Sequence, residues 1–468
     1  MFEKPVRFGT SGWRGVLGED FTFDRVRALA AAVGRGAVAR RGSSRVLVTH
    51  DTRFLADRAA RMAAEAIAGA GARPILAAGP TPTPVATHAV RRRGCAAGFL
   101  VTASHNPPEY LGVKVVAPNG GPACSAETNR LEKECARQLA AGAPPLGSVP
   151  ARRLHPADTY VRDLVRRLDV ELLATARFPI FYDAIHGSGA GVLDRILEAQ
   201  GAHLEVLRAE PDPCFGGGAP DPVPERLVEL GRRVAKRGGR ALGLATDGDA
   251  DRLAVVDREG RLSETEVVAL LVDHLARTRG LAGGVAISVA TGTLVEHVAA
   301  DAGLPVTRHP IGFRCLTEAL TSGAAKLAGE ESGGFAWAPF THDKDGILAG
   351  VLMVEVAAGH RFGVRGRLRE LERRHGRSAC GRAAVTRRPS HARALERLAT
   401  APPRRFDGSA VRAEPTPGGV VLYLADGFAI VRASGTEPLV RIYAEAPDPR
   451  RLTARLAATA ALLTRAAR

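Results

Sequence analysis

The chain has 468 residues, 45% of them hydrophobic and 24% charged, which is typical of folded globular proteins and excludes the disordered, collagen-like and coiled-coil classes. At roughly 150 residues per domain, this length predicts about three or four domains. The formal net charge is +16, but the basic residues occur in short pairs and triplets, and aromatic residues make up only 5% of the chain. A nucleic-acid partner is therefore not expected, since its surface needs long basic tracts or aromatic stacking platforms.

The sequence also contains no membrane signal. Residues 1–7 lack the apolar core of a signal peptide, and we find no run of about 18 apolar residues that could span a bilayer. The six cysteines are scattered, without a C-x-x-C pair or the spacing of a zinc site. We therefore expect a cytoplasmic protein without a membrane partner, a disulfide framework or a zinc site.

Short β-branched runs alternate with longer Ala/Leu/Arg-rich segments, which predicts strands joined by helices. A Pro/Gly/Ala-rich stretch at residues 142–150 reads as a linker, and the pattern changes after about Cys380 to that of a smaller α+β domain. The predicted strands are residues 45–49, 98–102, 178–183, 242–246, 285–289, 420–424, 428–432 and 440–444, and the predicted helices are residues 57–69 and 450–468.

Ser104 lies in Thr102-Ala103-Ser104-His105-Asn106-Pro107-Pro108, directly after a predicted strand. Open α/β sheets place ligands at the carboxyl ends of their strands, so this hydroxyl has a position suited to chemistry. A serine beside asparagine and proline is more often an ordinary turn residue, and the other polar loops decide between the two interpretations. A phosphate on Ser104 would bring about −1.5 to −2 charge and could complete a metal site.

Asp247, Asp249 and Asp251 alternate after the predicted strand at residues 242–246, so an extended loop would turn their carboxylates to one side. Such oxygen ligands suit Mg²⁺. An EF-hand also begins D-x-D-x-D, but it needs Gly at the sixth position and Glu at the twelfth, where this chain has Arg252 and Arg258. The EF-hand is excluded, and a solvated acidic turn stays the alternative.

Two further loops carry binding groups. Residues 329–334, Gly-Glu-Glu-Ser-Gly-Gly, offer a carboxylate for a sugar. Residues 432–436, Arg-Ala-Ser-Gly-Thr, combine a bidentate cation, two hydroxyls and a permissive glycine, which suits a phosphate, although an ordinary polar turn is possible. Residues 187–191 are glycine-rich, but Val192 replaces the last glycine of G-x-G-x-x-G, so a Rossmann cofactor site is rejected.

Arginine outnumbers lysine 59 to 6. A position that keeps lysine is therefore a candidate for an ammonium that must lose its proton, which a guanidinium does not do. Lys114 and Lys344 lie beside the polar loops, with chance as the alternative explanation. If arginines surround them, the pKa of each lysine is lowered and both can act as acid and base.

With these loops in this order, the whole chain resembles the α-D-phosphohexomutase family, which comprises phosphoglucomutases and phosphomannomutases. The opening Gly9-Thr10-Ser11-Gly12-Trp13-Arg14-Gly15 adds a fifth motif. The resemblance implies an α/β fold with three similar mixed-sheet αβα domains and a smaller C-terminal α+β domain around a central cleft. The implied domains are residues 1–148 with the phosphoserine loop, 149–258 with the metal-binding loop, 259–376 with the sugar-recognition loop and 377–468 with the phosphate-binding loop.

The resemblance also implies a role for each matching residue. Ser104 would be the phosphoserine, and its phosphate would hold Mg²⁺ together with Asp247, Asp249 and Asp251. The other predicted catalytic residues are Arg14, His105, Lys114, Arg252 and Lys344, and the predicted substrate-binding residues are Gly312, Phe313, Glu330, Ser332, Arg432, Ser434, Gly435 and Thr436. The family reaction passes phosphate from the serine to a hexose monophosphate, forms a 1,6-bisphosphate that turns over within the cleft, and returns the other phosphate to the serine.

Departures from the family pattern favour glucose phosphates over mannose phosphates. Many mannose-accepting members have histidine where Gly334 stands, whereas Lys344 and Phe313 match the glucose-type pattern. The sequence thus predicts a phosphoglucomutase that uses Mg²⁺ and glucose 1,6-bisphosphate, acts on small hexose phosphates and is a monomer or homodimer. The alternatives are a mutase for mannose or glucosamine phosphates, a phosphatase or bisphosphate synthase, and a basic nucleic-acid-binding protein.

Overall fold

The structure, a computed structural model, describes residues 5–40, 42–142, 144–151, 153–435 and 438–467. These residues form three mixed α/β units with sheets of five, five and four strands, and a fourth unit with a five-stranded antiparallel sheet. The predicted fold class, three mixed-sheet αβα domains followed by a smaller α+β domain, is confirmed. The proposed domain boundaries stay a prediction.

The first unit contains Ser104. Its sheet has the order β1-β5-β4-β2-β3, in which β3, β2 and β4 are parallel while β5 and β1 are antiparallel to their neighbours. Ser104 follows β4, at the edge where the parallel strands end. The elements are β1 (Trp13–Val16), α1 (Phe23–Ala39), β2 (Arg45–His50), α2 (Ala56–Gly69), β3 (Arg73–Leu76), α3 (Thr83–Arg92), β4 (Ala97–Val101), β5 (Tyr110–Val116) and α4 (Ser125–Ala141).

The second unit contains the three aspartates. Its sheet has the order β10-β9-β8-β6-β7, and the aspartates form the turn between the antiparallel strands β8 and β9. The elements are α5 (Ala157–Val165), α6 (Val170–Ala174), β6 (Pro179–Asp183), α7 (Leu193–Ala199), β7 (His203–Leu207), α8 (Val228–Arg237), β8 (Leu242–Thr246), β9 (Leu253–Asp257) and β10 (Gly260–Arg261).

The third unit contains Glu330 and Lys344. Its sheet has the order β12-β11-β13-β14, and the loop with Glu330 joins β13 to β14. Helix α12 is almost wholly buried and packs against β8 and β9, which fuses the second and third units into one core. The elements are α9 (Glu264–Arg279), β11 (Gly284–Ser288), α10 (Leu294–Asp301), β12 (Val306–His309), α11 (Phe313–Thr321), β13 (Ala325–Gly329), β14 (Phe335–Trp337), α12 (Gly346–Ala358) and α13 (Gly363–His375).

The fourth unit carries Arg432 near the end of a strand. Its main sheet has the order β15-β21-β20-β19-β18, and α14 and α15 pack together against it. The elements are β15 (Ala379–Thr386), α14 (Pro389–Thr400), β16 (Arg405–Phe406), β17 (Ser409–Ala410), β18 (Arg412–Thr416), β19 (Gly419–Leu424), β20 (Gly427–Ala433), β21 (Leu439–Ala446) and α15 (Pro449–Ala466).

Within the described residues, no single helix is long and apolar enough to cross a membrane. Helices α12 and α13 together have the length and the composition of a membrane span, but they are bent by 81° at their junction.

An aromatic cluster joins the first three units. The His88 ring stacks on Phe340 at 5.3 Å between centroids and meets the edge of Tyr160 at 5.6 Å. Burial, opposed by Asp163 and reinforced by nearby arginines, lowers the pKa of His88 to about 4. His88 is therefore neutral at physiological pH and serves as a packing residue between domains.

The stability of the protein should fall in mild acid because of His88. In the unfolded chain the pKa of His88 is near the ordinary 6.5, whereas in the folded chain it is about 4. Between these two pH values the unfolded state binds a proton that the folded state does not bind, so the free energy of unfolding falls as the pH drops. We expect this site to contribute on the order of 1–3 kcal/mol of acid destabilisation. Urea unfolding at several pH values should show a smaller loss for H88Q than for the unmodified chain. Equal pH dependence of the two proteins would contradict the assignment.

Candidate active site

Ser104 is buried at the start of a tight loop, residues 104–110, here called the serine loop. Its φ of +54° lies in the left-handed region, which costs a non-glycine residue roughly 1–2 kcal/mol, so neighbouring contacts must hold it. The Ser104 amide donates to Thr102 Oγ1 at 2.9 Å, and the Ser104 hydroxyl donates to Asp247 Oδ2 at 2.8 Å. The structure thus brings the predicted nucleophile directly to residues 247–251, here called the aspartate loop.

Asp247, Asp249 and Asp251 are at most 1% exposed, and each offers a carboxylate oxygen within 4.8 Å of the others. Asp247 Oδ1 accepts from the amides of Asp251 and Arg252 at 3.0 and 3.1 Å, which folds the turn after β8 and points the carboxylates inward. Burial and the charges of Asp249 and Asp251 raise the pKa of Asp247 well above its ordinary value. Such a group of carboxylates requires nearby positive charge.

The donor set fits a hard divalent cation. Oδ1 of Asp249 and Oδ1 of Asp251 are buried and make no hydrogen bond within the described part of the chain. Carboxylate oxygens are the ligands that Mg²⁺ prefers, and a Ser104 phosphate would add another oxygen at this place. Asp247, Asp249 and Asp251, with that phosphate, are therefore the residues that would hold Mg²⁺.

Lys114, on β5, reaches the same carboxylates. Its Nζ lies 2.5 Å from Asp249 Oδ2 and 2.6 Å from Asp251 Oδ2. Burial lowers the pKa of Lys114, but the charges of the aspartates outweigh burial and raise it above its ordinary value. The predicted lowering is therefore wrong for Lys114, because carboxylates rather than arginines surround its ammonium. Lys114 thus forms buried ion pairs with Asp249 and Asp251 from strand β5.

Three further predicted residues surround Ser104. His105 Nδ1 lies 3.4 Å from Ser104 Oγ, and burial, with the charges of Arg252 and Arg14, holds the pKa of His105 well below its ordinary value. Arg14 donates to Asn106 Oδ1 of the serine loop, and burial and Arg252 lower its pKa to about 10, so it stays charged. A neutral imidazole thus faces the hydroxyl between two arginines.

Burial lowers the pKa of Arg252, but Asp221, 3.8 Å away, and Asp247 outweigh burial and raise it. Arg252 is therefore a firmly charged cation beside the serine loop and the aspartate loop, where it can attract a phosphate.

Lys344 and Glu330 meet on the other side of the aspartates. Lys344 Nζ lies 3.2 Å from Asp251 Oδ2 and 3.8 Å from Glu330 Oε1, so the charged groups that contact it are also carboxylates. Ser332 Oγ donates to Glu330 Oε1. A Cβ on Gly334 would collide with Cδ of Lys344. The lysine thus occupies space that a histidine at position 334 would take.

Gly312 and Phe313, two predicted substrate-binding residues, lie at the start of helix α11. Gly312 has a φ of +117° and forms the N-cap of α11, a conformation that requires glycine. Phe313 is 2% exposed and packs with Leu316 and Leu320 in the core of the third unit. Phe313 also lines a small pocket together with Lys344, and its contact with a sugar stays a prediction.

The predicted phosphate clamp lies on the fourth unit. Arg432 lies one residue before the end of β20, directly opposite Arg441 of β21, so two guanidinium groups stand on neighbouring strands beside the loop. The Ser434 amide donates to the Leu439 carbonyl at 2.9 Å, and Gly435 is exposed. Thr436 lies outside the described residues. The paired arginines are consistent with a phosphate site.

Glu331 and Arg53 are site residues that sequence reasoning missed. Burial and Glu330 raise the pKa of Glu331 to about 7, and its Oε2 accepts from Ser288 Oγ. Arg53 donates to four carbonyls of the serine loop. A signal for Arg53 existed, because it follows β2, which is the neighbour of β4, and the ends of parallel neighbours meet at one sheet edge.

Comparisons with known proteins agree with this geometry. Family models described as phosphoglucomutase/phosphomannomutase alpha/beta/alpha domains I, II and III and C-terminal domain match residues 5–141, 158–260, 263–374 and 382–463. The chain belongs to the phosphoglucomutase/phosphomannomutase family. It is therefore a phosphohexomutase-family enzyme, of the isomerase class of mutases.

The relatives of this chain are named for different sugars. A phosphoglucomutase/phosphomannomutase of Thermococcus kodakarensis is 28% identical over 446 residues, covering 94% of each chain. A probable phosphoglucosamine mutase of Methanothermobacter thermautotrophicus is 30% identical over 464 residues, covering 95% of this chain and 94% of the relative. A crystal structure from Thermus thermophilus, of a candidate phosphomannomutase, has a TM-score of 0.87 at 32% identity and covers 99% of this chain and 100% of its own. The family is thus shared while the sugar varies.

Proposed function

We propose that this chain is a phosphoglucomutase that interconverts glucose 1-phosphate and glucose 6-phosphate through a phosphorylated Ser104 and glucose 1,6-bisphosphate. The observation that carries the proposal is the meeting, from three units, of the Ser104 hydroxyl, three buried aspartates and the Lys344–Glu330 pair. These groups supply a phosphate carrier, oxygen ligands for a cation and polar contacts for a sugar.

Bound Mg²⁺ would supply positive charge to the transferring phosphoryl group. Lys114 and Arg252 hold the aspartate loop and keep the surroundings cationic. Arg14, anchored on Asn106, faces the serine loop and stabilises the same developing charge. These charges can stabilise the transferring phosphoryl group without rearranging, because they are buried and held in place before the sugar arrives.

Phosphoryl transfer then proceeds in two halves. In the first, the Ser104 Oγ–P bond breaks and a sugar O–P bond forms, while the neutral His105, 3.4 Å from Ser104 Oγ, takes the proton of the sugar hydroxyl and gives it to Ser104 Oγ. In the second, Ser104 Oγ attacks the other phosphoryl group, and His105 carries the proton of the Ser104 hydroxyl to the departing sugar oxygen. Protons and phosphoryl groups balance over the cycle.

Gly334 supports glucose as the sugar. Because a Cβ there would collide with the Lys344 stem, glycine is what lets the lysine lie beside Glu330 and Ser332, where sugar hydroxyls would bind. A second candidate, phosphoglucosamine mutase, is favoured by the names of several relatives, including two that are 30% identical.

The test is a comparison of kcat/KM for the 1-phosphates of glucose, mannose and glucosamine, with free phosphate measured in parallel. The proposal predicts the highest value for glucose 1-phosphate and product formation without net phosphate release. A preference for glucosamine 1-phosphate would support the second candidate. Release of phosphate in step with consumption of substrate would instead indicate a phosphatase.

A further inference from the structure

Arg53 lies behind the serine loop and is fully buried. Its Nη2 donates to the carbonyls of Ser104 and Asn106, each at 2.6 Å, and its Nη1 donates to those of Pro107 and Tyr110 at 2.8 and 3.0 Å. A guanidinium carries two hydrogens on each Nη, so all four are used on one loop. The contacts span the serine loop from its first residue to its last.

Arg53 is itself held in place from two other directions. Its Nε lies 3.2 Å from Asp51 Oδ2, and its guanidinium lies 4.9 Å from the centre of the Phe215 ring of the second unit. Asp51 also accepts from the Thr102 hydroxyl at 2.6 Å, and Thr102 Oγ1 accepts from the Ser104 amide at 2.9 Å. The nucleophile is therefore tied to Arg53 both through its own carbonyl and through a chain of side chains.

This arrangement matters because Ser104 has a left-handed backbone and its Oγ must stay directed at Asp247. We propose that Arg53 is a positioning residue for phosphoryl transfer, which fixes the serine loop so that Ser104 accepts and returns phosphate in line with the aspartate loop. The inference rests on the function proposed above. A lysine could not replace Arg53, since an ammonium carries three donors at one point and cannot reach all four carbonyl oxygens.

The test is the steady-state kinetics of R53K and R53A with glucose 1-phosphate. A small displacement of a reacting group lowers rates steeply, so we expect kcat to fall by about 10²-fold in both variants. KM should change by less than about threefold, because the predicted sugar and phosphate contacts lie on other loops. Guanidinium ion, added to R53A, should restore part of kcat by entering the space that the side chain leaves, whereas methylammonium should not.

The matched control is R58A, which removes an exposed arginine of α2 five residues away and should keep the kcat of the unmodified chain. Should R53A unfold, R53K keeps the charge and the bulk and carries the test. Values of kcat near that of the unmodified chain in R53K, or a loss confined to KM, would overturn the role of Arg53. Inactivity of the unmodified chain on all three sugar 1-phosphates would instead overturn the proposed function.

Discussion

Replacing Ser104 by alanine is expected to lower kcat for hexose phosphate isomerisation by about 10⁴-fold or more. The hydroxyl is the atom that bonds the phosphoryl group, and the loss of a nucleophile removes the covalent path rather than weakening it. The substitution should otherwise disturb the structure little. Among the described residues, Ser104 Oγ makes close contacts only with Asp247 and His105. Binding of glucose 6-phosphate, measured by calorimetry, should therefore stay near that of the unmodified chain.

The S148A variant is a suitable control, since Ser148 is an exposed serine of the linker between the first two units. It should isomerise hexose phosphates at the rate of the unmodified chain. A kcat for S104A within tenfold of that rate, with thermal stability preserved, would mean that phosphate travels by another route.

Replacing Asp251 by asparagine is expected to lower kcat by about 10³-fold. It should also raise the Mg²⁺ concentration that gives half of the maximal rate, because a ligand of the cation is lost. Asp251 combines three duties, since Oδ2 contacts both Lys114 at 2.6 Å and Lys344 at 3.2 Å, while Oδ1 is one of the buried oxygens without a hydrogen-bond partner in the described part of the chain. Asparagine keeps the size of the side chain and removes its charge. The measurement is initial rate against Mg²⁺ concentration.

Asp158, whose ion pair with Arg195 is exposed, provides the matched change. Surface pairs of this kind contribute little to stability, so D158N should match the unmodified chain in both rate and Mg²⁺ dependence. An unaltered Mg²⁺ requirement in D251N would show that the cation acts elsewhere.

Much of the fold could be predicted because local signals were strong. Strand β8 (Leu242–Thr246) matches its prediction at both ends, and helix α15 (Pro449–Ala466) begins one residue before its predicted start. Continuous apolar runs mark buried strands, and an Asp-Pro start marks a helix, so neither depends on distant residues. The serine, aspartate and sugar loops were found for the same reason, since their residue types stand close together in the chain.

The sequence could not predict the direction of a pKa shift that depends on residues distant in the chain. Lys114 was expected among arginines, but strand pairing places it opposite Leu100 and sends its ammonium to Asp249 and Asp251, which are more than 130 residues away. The buried packing of Phe313 against Leu316 and Leu320 likewise depends on the folded third unit. Charge composition alone does not say which charges become neighbours, whereas topology does.

The central claim is that Ser104 carries the phosphoryl group, and mass measurement of its peptide tests this most directly. After incubation with glucose 1,6-bisphosphate and Mg²⁺, the account predicts a peptide heavier by one phosphoryl group, with fragmentation placing it on Ser104, and loss of that group when glucose 6-phosphate is added. A peptide that stays unmodified while the same sample converts glucose 1-phosphate to glucose 6-phosphate would contradict the account.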